Sequence, residues 1–156
     1  MVRAQYEVTI FPFRRTSGGH YEFAIFFRSD LHFSQGIAGG GEDDESPLAA
    51  AKRESREEAG IPETTAYYTL STIASIPTHA FEAGIQGVWP QDLYVIPGYY
   101  FGVNGEGRSV VLSSEHTEFR WVTQQEGEQL LRWDQDKTAL WELNARLRDS
   151  RLPNPS

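Results

Sequence analysis

Three glutamates within one short segment are the residues of this sequence best suited to chemistry. Glu57 and Glu58 follow Glu54 by three and four positions, so on a helix their carboxylates share one face. Near the C-terminal end of that helix the carboxylates repel one another and also meet the negative pole of the helix dipole. A hard divalent cation would remove both penalties, and an oxygen-only ligand set favours Mg²⁺, with Mn²⁺ as a substitute, over zinc.

An exposed acidic face on a surface helix is the alternative interpretation of these glutamates, because most charge runs are solvated. Residues 39–63 hold eight acidic side chains against three basic ones, a net of −5 within a chain total of −8. Judged on the three glutamates alone, the solvated face is the favoured interpretation. The residues around them reverse that balance.

The flanking residues form a longer pattern. Gly39 is followed after five residues by Glu45, and after seven more by Arg53-Glu54-Ser55-Arg56-Glu57-Glu58-Ala59-Gly60-Ile61. This closely resembles the Nudix box, G-x5-E-x7-R-E-U-x-E-E-x-G-U with U aliphatic, the signature of hydrolases that act on nucleoside diphosphates linked to another moiety. All seven fixed positions match. Ser55, at the first U position, is the departure; it falls on the predicted packing seam of the helix, where its hydroxyl needs a partner such as the carbonyl one turn back.

The resemblance implies a fold of the α/β (α+β) class, an α/β/α sandwich with a mixed sheet in which the box forms loop, helix and loop. Carried over by position, Glu57 and Glu58 are the principal metal ligands, joined by Glu54 and the Gly39 carbonyl. The implied reaction is displacement at phosphorus by a metal-activated water.

Supporting residues and a further acid are also implied. Glu45 and Arg53 would hold the loop and the carboxylates in place. Downstream, residues 113–122 contain Glu-His followed by an aromatic-Arg-Trp strand, which resembles the dATP pyrophosphohydrolase and dihydroneopterin triphosphate pyrophosphatase branch. This makes Glu115 a candidate metal ligand or general base, the alternative being an ordinary loop acid before a strand.

Candidate substrate contacts lie outside the box. Arg28 could contact phosphate, although a solvated surface arginine is the alternative. Residues 77–92 form a long segment with two prolines and two glycines, which we interpret as a lid or specificity loop. Within it, His79 is a candidate substrate contact and Trp89 a candidate platform for a base, although aromatic residues belong more often to a core.

The elements that must position these residues can be predicted from turn and cap signals. Ser46-Pro47 is a typical helix start and Gly60 with Pro62 a typical stop. The glycines at 39–41 predict a loop with unusual backbone freedom. Residues 1–150 are expected to form a single domain, and 151–156, with two prolines, a flexible tail. Predicted strands cover 6–14, 21–27, 67–76, 93–103 and 118–122, and predicted helices 48–59, 126–133 and 136–147.

Composition bounds the function. The chain of 156 residues has 14 basic and 22 acidic side chains and no cysteine, which excludes disulfides, thiolate zinc sites and cysteine nucleophiles and favours a cytoplasmic protein. An acidic balance argues against extended nucleic acid as a partner, and no apolar run reaches membrane-spanning length. The predicted partner is a phosphorylated small molecule; monomer and homodimer both stay open.

The predicted function is Mg²⁺-dependent hydrolysis of a pyrophosphate bond in a nucleoside triphosphate or another nucleoside diphosphate-linked small molecule. One alternative is a related enzyme for nucleotide sugars, dinucleoside polyphosphates or a capped RNA end. The other is a non-catalytic, nucleotide-sensing domain of the same fold. Such modules usually lose box glutamates, and all of them are present here.

Overall fold

One mixed β-sheet, flanked by helices, organises the chain in the computed structural model, which describes residues 2–113 and 118–156. A short 3-10 turn, Thr78–Ala80, follows the fifth strand. The strands are β1 Arg3–Arg15, β2 Tyr21–Arg28, β3 Phe33–Gln35, β4 Ile37–Glu42, β5 Tyr67–Pro77, β6 Val95–Asn104 and β7 Glu118–Val122. The helices are α1 Pro47–Ala59, α2 Ala83–Gln86, α3 Gln124–Leu130 and α4 Asp134–Arg148.

Strand β1 is the centre of the sheet. It runs parallel to β6 and antiparallel to both β2 and β4, within the order β3-β2-β1-β6-β5, while β7 pairs with β2. The register sets Glu7 opposite Gly40 on β4 and opposite Gly98 on β6. The first half of β1 therefore lies directly beside the glycine-rich strand that begins the box.

Two apolar layers lie on the two faces of the sheet. Side chains alternate between the faces of a strand, and Val8 and Ile10 of β1 join the cluster that contains Ala50 and Ala51 of α1. On the other face, a second cluster packs against α4, with members Phe11, Phe13, Tyr100, Leu140 and Leu143. This helix–sheet–helix layering confirms the predicted mixed-sheet sandwich.

Helix α1 begins and ends where its caps require. The Ser46 hydroxyl accepts a hydrogen bond from the Ala49 N–H at 3.2 Å, and Pro47 occupies the first helical turn. Gly60 ends the helix with φ of 70°, a left-handed conformation in which its N–H still donates to Arg56 O. Glycine tolerates this conformation without steric cost, so the cap fixes the last turn, which carries Glu57 and Glu58.

The glycines at 39–41 differ from the sequence prediction. The three glycines predicted as a loop lie in strand β4, paired with β1. Their missing side chains make room for large side chains from neighbouring elements. Within the segment 151–156, the Ser156 N–H donates to Tyr67 O of β5 at 2.8 Å. None of the described helices is long and apolar enough to cross a membrane.

Candidate active site

The glycines of β4 let side chains approach the strand from both faces. A Cβ at Gly39 would collide with the carboxylate of Glu54, and a Cβ at Gly40 would collide with the guanidinium of Arg3. Successive positions of a strand face opposite sides, so α1 supplies an acid to one face while β1 supplies a base to the other. The missing side chains are therefore a steric requirement of the site.

Arg53 connects the box into one hydrogen-bonded unit. Its Nε and Nη2 both donate to the Glu45 carboxylate at 2.9 Å, and Nη2 also donates to Gly40 O at 2.8 Å. Its Nη1 donates to Glu54 at 3.0 Å and to Glu57 at 3.3 Å. A planar guanidinium is suited to this forked contact. One arginine thus joins the loop, strand β4 and two of the three helical carboxylates.

The hydrogen bond from Arg53 lowers the pKa of Glu45, although burial acts in the opposite direction. The same hydrogen bond is the main cause that raises the pKa of Arg53. Glu45 also accepts from the Glu42 N–H at 3.1 Å, and its own carbonyl accepts from Tyr6 OH at 2.6 Å. The loop between β4 and α1 is therefore bonded to α1 through Arg53 and to β1 through Tyr6.

The three helical carboxylates differ in exposure. Glu58 is 4% exposed and accepts from the Ala38 N–H at 3.2 Å, whereas the Glu57 side chain is 50% exposed. Glu54, against Gly39, lies between these extremes. Within residues 2–113 and 118–156, no group of three or more acidic or histidine side chains is clustered tightly enough to hold a metal ion. The Arg53 guanidinium lies against the carboxylates of Glu54 and Glu57.

The described candidates outside the box, Arg28, His79 and Trp89, lie in two different places. Glu115 lies outside the described residues. Arg28 ends β2 and donates from Nε and Nη2 to Asp30 at 3.1 and 2.7 Å. His79 and Trp89 line a cavity of about 520 Å³ within the segment predicted as a lid. Trp89 is nearly buried, so the structure gives its indole a packing role as well as a place in the cavity wall.

A partly buried ion pair on β1 was missed by sequence reasoning. Arg3 Nη2 lies 2.9 Å from Glu7 Oε2, and the Trp89 indole donates to Arg3 O at 2.9 Å. Burial raises the pKa of Glu7 to about 7; Arg3 acts to lower it, and nearby Glu54 to raise it. A charged residue inside an otherwise apolar, central strand was the signal available in the sequence.

Ser55, the departure from the box pattern, lies beside a buried tyrosine. It is fully buried on α1 and lies beside Tyr67 of β5. Burial raises the pKa of Tyr67, and the Ser55 hydroxyl opposes that rise. Neither hydroxyl oxygen has a hydrogen bond of good geometry within the described part of the chain, so the carbonyl one turn back is not the partner that the sequence predicted.

Comparison with known proteins places this geometry in a family. The NUDIX domain model matches residues 7–141. A protein from Listeria monocytogenes assigned as a NUDIX hydrolase is 38% identical, with TM-score 0.84 over 96% of this chain and 98% of that chain. No curated protein sequence matches this chain.

Two further structures share the fold at lower identity. The Escherichia coli dihydroneopterin triphosphate pyrophosphohydrolase is 15% identical, with TM-score 0.73 over 94% of this chain and 99% of that chain. A Caenorhabditis elegans Ap4A hydrolase in a binary complex is 20% identical, with TM-score 0.69 over the same shares. At these identities the likeness shows the fold alone. The family model covers most of this chain, and the Listeria monocytogenes protein matches nearly all of it. This chain therefore belongs to the NUDIX hydrolase family.

Proposed function

We propose that this NUDIX hydrolase cleaves a pyrophosphate bond in a nucleoside triphosphate or another nucleoside diphosphate-linked small molecule, with Mg²⁺ as cofactor and Mn²⁺ as a substitute. The observation that carries the proposal is the complete carboxylate set: Glu54 and Glu57 bonded to Arg53, Glu54 against Gly39, and Glu58 bonded to the Ala38 N–H. Retention of every box glutamate favours hydrolysis over a purely nucleotide-sensing role.

The donor set fits a hard divalent cation. Glu54, Glu57, Glu58 and the Gly39 carbonyl offer only oxygen, which is what Mg²⁺ prefers. The absent Cβ at Gly39 leaves the space that the Glu54 carboxylate fills against β4. When bound, the cation would supply an activated water and neutralise charge on the pyrophosphate oxygens. Glu115 is proposed as a further ligand or general base.

The chain's own residues prepare the carboxylates for that task. Arg53 orients Glu54 and Glu57 through ion pairs at 3.0 and 3.3 Å. The backbone N–H of Ala38 holds Glu58. Glu45 fixes Arg53 in turn. Each of the three carboxylates therefore has a hydrogen-bond donor that fixes its position before the substrate binds.

The finer substrate assignment rests on less. Residues 118–122 continue the sequence that resembles the dATP and dihydroneopterin triphosphate branch, and the E. coli dihydroneopterin triphosphate pyrophosphohydrolase shares the fold. Nucleotide sugars and dinucleoside polyphosphates stay as alternative substrates, the latter because an Ap4A hydrolase shares the fold. His79 and Trp89 are proposed contacts for the non-phosphate part, and a cytoplasmic location stays a prediction.

A substrate panel with product analysis tests the proposal. Nucleoside triphosphates, nucleotide sugars and dinucleoside polyphosphates are each incubated with Mg²⁺, with Mn²⁺ and with a chelator, and the products are resolved by chromatography. We expect cleavage of at least one class, lost with the chelator. Tight nucleotide binding without turnover of any compound would instead identify a sensing domain.

A further inference from the structure

Arg3 is the basic residue that shares a cavity with Glu54. The cavity, of about 230 Å³, is lined by Val2, Arg3, Gly40, Gly41, Glu42 and Glu54. The Arg3 guanidinium lies over Gly40, and the Glu54 carboxylate lies over Gly39 on the other face of β4. Although they lie on opposite faces of this strand, the cation from β1 and the carboxylate from α1 both line this cavity.

The hydrogen-bonding capacity of Arg3 is only partly used. Its Nη2 pairs with Glu7 at 2.9 Å, while its Nε is buried and has no hydrogen-bond partner within residues 2–113 and 118–156. A guanidinium carries five N–H donors, and leaving one of them buried and unpaired is unfavourable. Arg53, in contrast, donates to Glu45, Gly40 and Glu54.

Arg3 is also held in place before any ligand binds. Glu7 pairs with its guanidinium, the ring centroid of Phe81 lies 5.7 Å from its Cζ, and the Trp89 indole donates to its carbonyl oxygen. A side chain fixed in this way loses less conformational entropy on binding than a free surface arginine. Two of these contacts come from the 77–92 segment, which therefore braces the residue.

We propose that Arg3 binds a phosphate group of the substrate and that Glu7 is its positioning residue. The proposal rests on the proposed function for the identity of the ligand as a pyrophosphate compound. A phosphate that enters beside Glu54 meets negative charge and requires a cation, and the guanidinium fork matches phosphate oxygens. Arg28, the phosphate contact predicted from the sequence, donates to Asp30 and stays a second candidate.

Binding of inorganic pyrophosphate with Mg²⁺ present tests the assignment by isothermal titration calorimetry. We expect Arg3→Gln to weaken the Kd by about tenfold or more, since charge-assisted hydrogen bonds are lost. The matched control is Arg14→Gln, because Arg14 lies at the other end of β1 and pairs with Glu22 at the same 2.9 Å. Its Kd should stay within about twofold of wild type. Equal Kd values in wild type and Arg3→Gln, or no binding by wild type, would overturn the proposal.

A second pair of variants separates binding from folding. Arg3→Gln leaves the partly buried Glu7 carboxyl without its partner, so thermal melting is recorded for each variant, and Arg3→Gln/Glu7→Gln removes both charges. This double variant should fold and show the same weakened pyrophosphate Kd as Arg3→Gln. Recovery of the wild-type Kd in it would contradict a phosphate contact.

Steady-state kinetics define the role of Glu7. With any compound that the substrate panel identifies, Glu7→Gln should raise KM and leave kcat within about twofold, and Arg3→Lys should raise KM less than Arg3→Gln. A fall in kcat without a change in KM would contradict a positioning role. If no compound is turned over, the proposed function fails, while the pyrophosphate Kd values still decide the role of Arg3.

Discussion

At the scale of single residues, one arginine binds two of the three glutamates at the end of helix α1. Arg53 donates from Nη1 to Glu54 and Glu57, and from Nε and Nη2 to Glu45 and Gly40. A lysine could not satisfy this forked set. Arg53 therefore fixes the positions of Glu54 and Glu57 relative to the loop and to strand β4.

Glu57 offers the cleanest test of the carboxylate set because it is half exposed. Glu57→Gln should lower kcat by about 100-fold or more, equivalent to about 2.7 kcal/mol of transition-state stabilisation. The free energy of unfolding should change by less than about 1 kcal/mol, since exposed ion pairs contribute little. Steady-state kinetics and urea denaturation measure the two effects. Glu106→Gln, in an exposed turn, is the control; equal kcat in both variants would contradict the assignment.

Ser55 and Tyr67 give a residue-scale prediction about stability. Because neither buried hydroxyl has a good hydrogen bond among the described residues, Ser55→Ala/Tyr67→Phe should raise the free energy of unfolding by about 1 kcal/mol. Tyr100→Phe is the matched comparison, because Tyr100 OH donates to buried Asp136 at 2.6 Å. That variant should lose about 1–3 kcal/mol. Urea denaturation would contradict this account if the double variant were the less stable protein.

At the scale of elements, helix α4 is fastened to β5 at the point where the strand departs from regular pairing. The register of β5 on β6 shifts between Thr69 and Ile73, which frees backbone N–H groups from the ladder. Glu142 of α4 accepts from the N–H groups of Ser71 and Thr72 at 2.7 and 2.8 Å. One buried carboxylate therefore satisfies the irregular stretch.

The fastening makes stability depend on pH. Burial raises the pKa of Glu142, but the hydrogen bonds from Thr72, Ser71 and Arg146 outweigh it, and the pKa falls below its ordinary value of 4.5. A depressed pKa stabilises the folded state above pH 4.5, and this contribution is lost as pH falls through the folded-state pKa. Glu142→Gln should cost about 1–3 kcal/mol at pH 7 and progressively less below pH 4.5.

Urea denaturation at pH 7 and at pH 3.5 measures that difference. Asp134→Asn is the control on the same helix, because the Asp134 side chain is 98% exposed. Its effect should stay below about 1 kcal/mol at both values. A Glu142→Gln deficit of equal size at both pH values would show that packing, rather than the carboxylate charge, holds α4 to β5.

The elements also show why some features were predictable and others were not. Helix α1 was predicted to within one residue because its cap and its stop are local signals in the chain. Strand β4 was predicted as a loop because the reason for its glycines is not local. They make room for the side chains of Arg3 and Glu54, which come from distant parts of the sequence. The Arg3–Glu7 pair was missed for the same reason, since its role depends on β1 lying beside β4. Local rules find elements, whereas close approach between elements requires the fold.

At the scale of the whole molecule, the charge of −8 is concentrated where a phosphorylated substrate is proposed to bind. Residues 39–63 carry eight acidic and three basic side chains, and such a field repels a pyrophosphate. A bound divalent cation reverses the sign of the local field. Substrate affinity and metal binding are therefore coupled through one acidic segment.

This coupling predicts a stabilisation by Mg²⁺ that depends on the box glutamates. A ligand that binds only the folded state, at about one hundred times its Kd, stabilises that state by about 2.7 kcal/mol. We therefore expect Mg²⁺ to raise the Tm of wild type by several degrees, and NaCl of equal ionic strength to raise it less, because salt only screens the charges. Glu57→Gln/Glu58→Gln should lose most of the Mg²⁺ effect.

The control must remove equal charge from the same segment without touching the box. Asp44→Asn/Glu63→Gln does so, since both side chains are exposed and neither is a fixed position of the motif. This variant should keep the wild-type Tm increase with Mg²⁺, measured by differential scanning calorimetry. If both double variants lost the increase equally, Mg²⁺ would be acting on the bulk charge of the segment, and the assignment of Glu57 and Glu58 as metal ligands would be wrong. A site-specific loss would show that the acidity of this chain serves the binding of a cation.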